Sequence, residues 1–93
     1  MNKRENEIMD ILQEECAEVI QMVSKCRRFG IDNKHLKSGD SNRVRLTEEV
    51  GDLMCMIQLM QDFDIVDFEE VKAASDRKQE KLKQWSSIFK VEV

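Results

Sequence analysis

Two short acidic groups contain the residues of this 93-residue chain that are best placed to do chemistry. Glu15 lies three residues before Glu18, and Glu49 lies three residues before Asp52, with no Lys or Arg inside either group. On a helix, residues three or four apart share a face, with Cβ atoms about 5–6 Å apart. Carboxylates held this close repel one another, and a cation relieves the repulsion. The spacing is therefore compatible with a site for Mg²⁺ or Mn²⁺ formed by two helices.

The same acids could instead coat solvent-facing helix surfaces, as charged helical runs commonly do. Against that alternative, small or apolar residues flank both Glu18 and Asp52 directly. Surface helices also tend to mix charges of both signs, and these groups do not. Spacing alone leaves both interpretations open.

Three long helices must position these groups. Apolar residues recur with helical spacing over residues 4–28 and again over residues 43–62. Asp67, followed three residues later by Glu70, resembles a capping box for a third helix that runs from residue 68 to about residue 85 or 87. Residues 29–42 lose the periodicity and read as a loop with one short turn around His35. The sequence predicts an all-α helical bundle that forms a single domain over residues 1–93.

Gly51 lies inside the second predicted helix, where glycine costs about 1 kcal/mol relative to alanine. One explanation is a tight helix–helix crossing. The other is that the glycine leaves room for a metal ion or a substrate beside Asp52. The two explanations are compatible with each other.

Composition limits the class of protein and its partners. Hydrophobic residues make up 41% of the chain and charged residues 37%, which is too apolar for a disordered chain. A domain of this size has a thin core, and inward-facing acids make it thinner, so we expect a homodimer or homotetramer. The net charge of −4 argues against binding to a nucleic acid polymer or to an anionic membrane. It does not exclude a phosphorylated small molecule, because bound metal ions can invert the local field.

Cysteine and histidine usage points to a reduced compartment. The three cysteines have no paired spacing, which predicts free thiols and a cytoplasmic location. A structural zinc site is not expected, because the chain has no Cys-x-x-Cys motif and a single histidine. The polar N-terminus is not followed by a long apolar run, so neither a signal peptide nor a transmembrane helix is expected.

The ordered pair Glu15-x-x-Glu18 and Glu49-x-x-Asp52 resembles the Glu-x-x-Glu and Glu-x-x-Asp signature of the all-α, MazG-like nucleoside triphosphate pyrophosphohydrolases. The flanking residues 12–19 and 46–54 resemble that family as well, and the whole resemblance covers roughly residues 8–85. The chain departs from the family in a longer spacer between the motifs, over residues 19–48. It also lacks an aromatic residue early in the first helix.

The resemblance implies hydrolysis of a nucleoside triphosphate to the monophosphate and pyrophosphate. It implies a MazG-like bundle completed by dimerisation, with Mg²⁺ (or Mn²⁺) as cofactor and Glu15, Glu18, Glu49 and Asp52 as its ligands. Glu15 or Glu18 would be the catalytic general base.

The third helix is lysine-rich where members of the family commonly place basic residues. Lys78 and Lys81 are the leading candidates for binding the phosphates, and Asp76 is a further candidate for the substrate site. Arg77 and Lys83 are reserves, and Trp85 is expected to be a packing residue. In the loop, three residues could reach a neighbouring active site: Lys34, His35 and Lys37.

Other classes of function fit less well. A carboxylate-bridged di-iron bundle needs Glu-x-x-His on two helices, and the single His35 lies in the loop. Neither candidate loop has the glycine and the final glutamate of an EF-hand. The alternative that remains is a non-catalytic helical oligomerisation or interaction module with structural acidic faces. Its stability would not respond to Mg²⁺.

Overall fold

Three α-helices form the architecture of the computed structural model, which describes residues 1–90. They are α1 (Lys3–Phe29), α2 (Asn42–Asp62) and α3 (Phe68–Trp85). Over these residues there is no strand, only an isolated antiparallel bridge between Lys34 and Ser41. The predicted all-α class is confirmed, and the helices end within one or two residues of the predicted bounds. Residues 91–93, which the predicted single domain includes, lie outside the described part of the chain.

Local sequence explains where α1 and α2 begin. The Asn2 side chain accepts a hydrogen bond from the Glu5 N–H at 2.8 Å, and the Glu5 carboxylate accepts one from the Asn2 N–H at 3.5 Å. The Ser41 hydroxyl accepts a hydrogen bond from the Val44 N–H at 3.2 Å. These bonds satisfy backbone donors that a helix start leaves without partners.

Helices α1 and α2 pack side by side as an antiparallel hairpin. The start of α1 meets the end of α2, where the Arg4 guanidinium lies 4.7 Å from the centre of the Phe63 ring. The hydrophobic core is thin, as expected from the chain length, and among the described residues only Ile8, Met22 and Met56 are buried hydrophobic residues. Their packing sets which faces of α1 and α2 meet.

Hydrogen bonds hold the loop between the two helices in place. The buried Asn42 donates from its side-chain amide to the Gly30 carbonyl at 2.9 Å, and from its backbone N–H to the Asn33 carbonyl at 2.9 Å. The Arg43 N–H donates to the Ile31 carbonyl at 2.7 Å. Gly30 has a φ of 99°, a conformation that L side chains rarely adopt, and the chain turns there out of α1. The loop is therefore an ordered connection with defined partners.

Helix α3 stands largely apart from the hairpin. None of its residues is buried, and Trp85 is 79% exposed, so the prediction that Trp85 packs is wrong for this single chain. The Asp67 carboxylate caps α3 by accepting a hydrogen bond from the Glu70 N–H at 3.0 Å. In a full capping box the Glu70 carboxylate would also accept a hydrogen bond from the Asp67 N–H. That bond is absent among the hydrogen bonds of residues 1–90.

The open arrangement leaves the chain with more surface than its mass requires. Its accessible surface is 7700 Å², whereas a folded monomer of 11.0 kDa has roughly 5,600 Å². Its radius of gyration is 16.5 Å, against about 12 Å for a compact domain of this length. The excess area is on the order of 2,000 Å².

Candidate metal centre

Three of the four predicted metal ligands come together where α1 crosses α2. Glu15 on α1 and both Glu49 and Asp52 on α2 each offer a carboxylate oxygen, and these oxygens all lie within 4.8 Å of one another. The two residues of α2 share a face because they are three positions apart. The antiparallel packing brings Glu15 opposite them. We call these three residues the carboxylate cluster.

No basic residue neutralises the carboxylate cluster. Glu15 and Glu49 are half-buried and Asp52 is exposed. The ion pairs found within residues 1–90 join other residues: Arg43 with Asp32, Lys72 with Asp76, and Lys83 with Glu80. Three carboxylates therefore face each other without a cationic side chain paired to any of them.

The electrostatic consequence is clearest at Glu15. Desolvation raises the pKa of this carboxyl above its ordinary value, and the charges of Asp52, Glu49, Glu18 and Glu14 raise it further. Burial and like charges both disfavour the ionised form. A proton or a cation at this position relieves the repulsion.

Glu18, the fourth predicted ligand, does not join the carboxylate cluster. It is exposed, and its carboxylate falls outside the group of oxygens within 4.8 Å. Glu49 and Asp52 have the same three-residue spacing, so the difference comes from the packing of α1 against α2, which half-buries Glu15 and leaves Glu18 exposed. Its charge still contributes to the raised pKa of Glu15, so the two carboxylates interact.

The donor set of the carboxylate cluster fits a hard divalent cation. Mg²⁺ prefers oxygen ligands in octahedral geometry at about 2.1 Å, so two opposite ligands are about 4.2 Å apart. Oxygens within 4.8 Å of one another need only small side-chain rotations to reach that spacing. Three protein ligands would leave coordination positions for water and for the phosphate oxygens of a substrate.

The predicted substrate residues lie on α3 and add nothing to the carboxylate cluster. The Asp76 carboxylate accepts a hydrogen bond from the Lys72 ammonium at 3.4 Å, within the same helix. Lys78 and Lys81 are exposed. Asp76 and Lys81 line a shallow groove on the surface of α3 together with other residues of that helix. Within the described chain, these residues form a surface separate from the cluster.

Gly51 is not required by packing inside the chain. A Cβ atom added at this position would have no neighbour within 4 Å, so the crossing of α1 and α2 does not depend on the glycine. Of the two explanations, a tight crossing within the chain is therefore wrong. The open space at Gly51 is compatible with the other explanation, in which the glycine leaves room for a metal ion or a substrate beside Asp52.

Comparison of the chain with protein-family models, with curated proteins and with solved structures finds no match. The resemblance to the MazG-like group therefore stays a prediction carried by the motif residues. Over the described residues, no helix combines the length and apolar character needed to span a membrane.

Proposed function

We propose that this protein is a Mg²⁺-dependent nucleoside triphosphate pyrophosphohydrolase of the MazG-like type, which converts a ribo- or deoxyribonucleoside triphosphate to the monophosphate and pyrophosphate. The observation that supports the proposal most is the carboxylate cluster, in which Glu15, Glu49 and Asp52 converge without a cationic partner. The order of the two acidic motifs along the chain supports it as well. The proposed role is the removal of surplus or non-standard nucleotides from the cellular pool.

In this proposal Glu15, Glu49 and Asp52 hold Mg²⁺, which when bound neutralises phosphate charge and makes a water molecule more acidic. Hydrolysis adds the oxygen of water to phosphorus, releases pyrophosphate and frees one proton. Glu18 is suited to accept that proton, because it lies beside the cluster without belonging to it. Glu15 is the other candidate base in this proposal.

The active form in this proposal is a homodimer or a homotetramer. The excess surface of each chain is on the order of 2,000 Å², and two chains together would bury an area typical of obligate oligomers. Exposed apolar side chains line the hairpin, including Ile20 at 69% and Met54 at 59% exposure. In such an oligomer, Lys78 and Lys81 of one chain can approach phosphates held at the carboxylate cluster of another.

The open shape and exposed apolar surface also favour a second candidate function. A non-catalytic helical interaction module would present the same surfaces, with the acids serving only for solubility. It predicts neither nucleotide hydrolysis nor stabilisation by Mg²⁺. A single assay of nucleotide hydrolysis distinguishes the two candidate functions.

The deciding experiment measures pyrophosphate release from a panel of ribo- and deoxyribonucleoside triphosphates in Mg²⁺. Glu49→Gln keeps the side-chain shape but removes one anionic ligand, and we expect it to abolish release. Glu48→Gln is the matched control, because it makes the same chemical change at the adjacent residue, which is outside the cluster. If Glu49→Gln still releases pyrophosphate, the carboxylate cluster is not the active site. If the parent releases no pyrophosphate, the proposed enzymatic function is wrong.

A further inference from the structure

A groove of about 380 Å³ lies at the loop end of the helical hairpin, away from the carboxylate cluster. It contains residues from the last turns of α1, from the loop and from the first turn of α2. Three of its lining residues are cationic and none is acidic. The lining residues are Lys25, Phe29, Asn33, Lys34, His35, Leu36, Asn42 and Arg45.

The three cations of this basic groove, Lys25, Lys34 and Arg45, have no acidic partner. None of them takes part in an ion pair within residues 1–90. Of the two acids in the loop, Asp32 is paired with Arg43, whose Nε lies 3.1 Å from its carboxylate, and Asp40 takes part in none of the ion pairs of residues 1–90. The positive charge of the groove is therefore left for a ligand from outside the chain.

Helix electrostatics does not account for these cations. Basic residues commonly offset the negative end of a helix dipole, but Arg27 and Arg28 already occupy the last turn of α1. At the positive end of α2 the usual preference is for acids, and the first turn contains none. Arg45 lies near that end, so its positive charge adds to the partial positive charge of the helix dipole.

The loop adds a preorganised donor to the basic groove. The His35 Nδ1 accepts hydrogen bonds from the backbone N–H groups of Lys37 at 3.3 Å and Ser38 at 3.4 Å. With Nδ1 an acceptor, the ring proton lies on Nε2, which can donate to a ligand. The His35 backbone is itself held, because its N–H donates to the Asp40 carbonyl at 2.8 Å and its carbonyl accepts from the Gly39 N–H at 2.8 Å.

We infer that the basic groove is a binding site for phosphate-bearing anions, of the size of a diphosphate group, and that it works without a metal ion. Three cationic side chains and a fixed imidazole donor match the several oxygens of such an anion, and charge-assisted hydrogen bonds are the strongest available for this purpose. Phe29 and Leu36 also line the groove, and both are exposed, so the cationic side chains and the imidazole carry the proposed binding.

The lining of the basic groove shares no residue with the carboxylate cluster, although Arg45 lies one helical turn from Glu49. Lys25 lies ten residues beyond Glu15 on α1, which is about 15 Å along the helix axis. Arg45 lies four residues before Glu49 on α2, or about 6 Å. Anions bind this groove through positive side chains, whereas the carboxylate cluster repels them unless a metal is present.

Titration calorimetry with pyrophosphate as the ligand, in excess EDTA, tests the inference on the full chain. The parent should bind, and Lys34→Glu should weaken binding at least about tenfold, the effect of losing one charge-assisted contact. Lys3→Glu is the matched control, because it makes the same charge change at an exposed residue at the start of α1, outside the groove lining. It should change the affinity less than about threefold, since exposed charges are screened by salt.

Three results would overturn the inference: no binding by the parent at millimolar pyrophosphate in EDTA, equal losses in Lys34→Glu and Lys3→Glu, or loss of binding in Glu49→Gln. The last variant separates this site from the proposed activity. Because hydrolysis depends on Glu49 and Mg²⁺ while this binding depends on neither, either proposal can fail while the other stands. Circular dichroism of each variant confirms that the helices are intact.

Discussion

Glu15 shows how three clustered carboxylates cost stability in a small helical protein. It is half-buried in the seam between α1 and α2 and faces Glu49 and Asp52, and both its desolvation and these neighbours raise the pKa of its carboxyl. A chain selected only for stability would place an apolar or neutral residue here. Keeping three acids together is characteristic of a functional site that tolerates local destabilisation.

Replacement of Glu15 by Gln should therefore have opposite effects with and without Mg²⁺. Without the metal, we expect Glu15→Gln to raise the thermal midpoint, because it removes the repulsion within the cluster. The parent should gain stability on adding Mg²⁺, since a ligand that binds only the folded state stabilises it, and Glu15→Gln should lose most of that gain. Differential scanning fluorimetry with and without EDTA measures both effects. If Mg²⁺ does not change the thermal midpoint of the parent, the proposed metal site is contradicted.

Without metal, the difference in stability between the parent and Glu15→Gln should depend on pH. The direction of the pKa shift of Glu15 gives the sign of this dependence. Because the folded-state pKa of Glu15 is raised, its protonated form is favoured by folding, and the parent is relatively most stable below the ordinary pKa of 4.5. That stability is lost as the pH rises through the raised pKa. The advantage of Glu15→Gln in EDTA should thus be near zero at low pH and grow to a plateau above the raised pKa. An advantage that shrinks with rising pH would contradict this assignment.

At the scale of elements, α1 and α2 are stabilised in a different way from α3. The hairpin has buried side chains and a loop whose backbone is bonded back to both helices. Helix α3 has no buried residue and depends on the Asp67 cap and on pairs within the helix, such as Lys72 with Asp76. Exposed pairs of this kind contribute only about 0.3–0.5 kcal/mol each. Tertiary contact with another chain is the stabilisation that α3 lacks.

Asn42 is the residue that joins the loop to the start of α2, and its removal should destabilise the hairpin. Asn42 is 5% exposed and its side-chain amide donates to the Gly30 carbonyl, so Asn42→Ala removes a part-buried hydrogen bond between the loop and α2. We expect a loss of about 0.5–1.5 kcal/mol in the free energy of unfolding, measured by urea titration. Asn6→Ala is the control, because the Asn6 side chain bonds to the Met1 carbonyl at an exposed site. A loss in the control equal to that in Asn42→Ala would contradict the role of burial.

At the scale of the whole molecule, surface area and shape are compatible with the proposed oligomer. The chain exposes roughly a third more surface than a folded monomer of its mass, and its radius of gyration is 16.5 Å. Apolar side chains remain exposed on the hairpin around Gly51, where an added Cβ would meet nothing in the same chain. A second copy of the chain packed on this face would explain both the glycine and the exposed apolar surface.

Introduction of a charge on this face should therefore dissociate the proposed oligomer. Met54 is an exposed apolar residue three positions from Gly51, and Met54→Glu would place an unpaired carboxylate in the interface, where burial costs several kcal/mol. We expect multi-angle light scattering to show a parent of at least two chains and a Met54→Glu variant of one chain. Lys37→Glu serves as the control in the loop. A monomeric parent at micromolar concentration would contradict the proposed oligomer.

The sequence by itself determined the helices and their starts. Helical periodicity, the Ser41 and Asp67 caps and the loss of pattern over residues 29–42 all act within a few residues, so they are readable without knowledge of the fold. The same local spacing brought Glu15, Glu18, Glu49 and Asp52 forward as a possible site, because residues three or four apart on a helix share a face.

Only the tertiary structure decided which of these residues meet. The rotation of α1 against α2, set by the packing around Ile8, Met22 and Met56, turns Glu15 into the seam and leaves Glu18 exposed. The tertiary structure also shows that α3 contributes no residue to the carboxylate cluster. The basic groove arises in the same way, since the residues that line it come from two helix ends and a folded loop. Such contacts join residues distant in sequence and depend on packing geometry that no local pattern encodes.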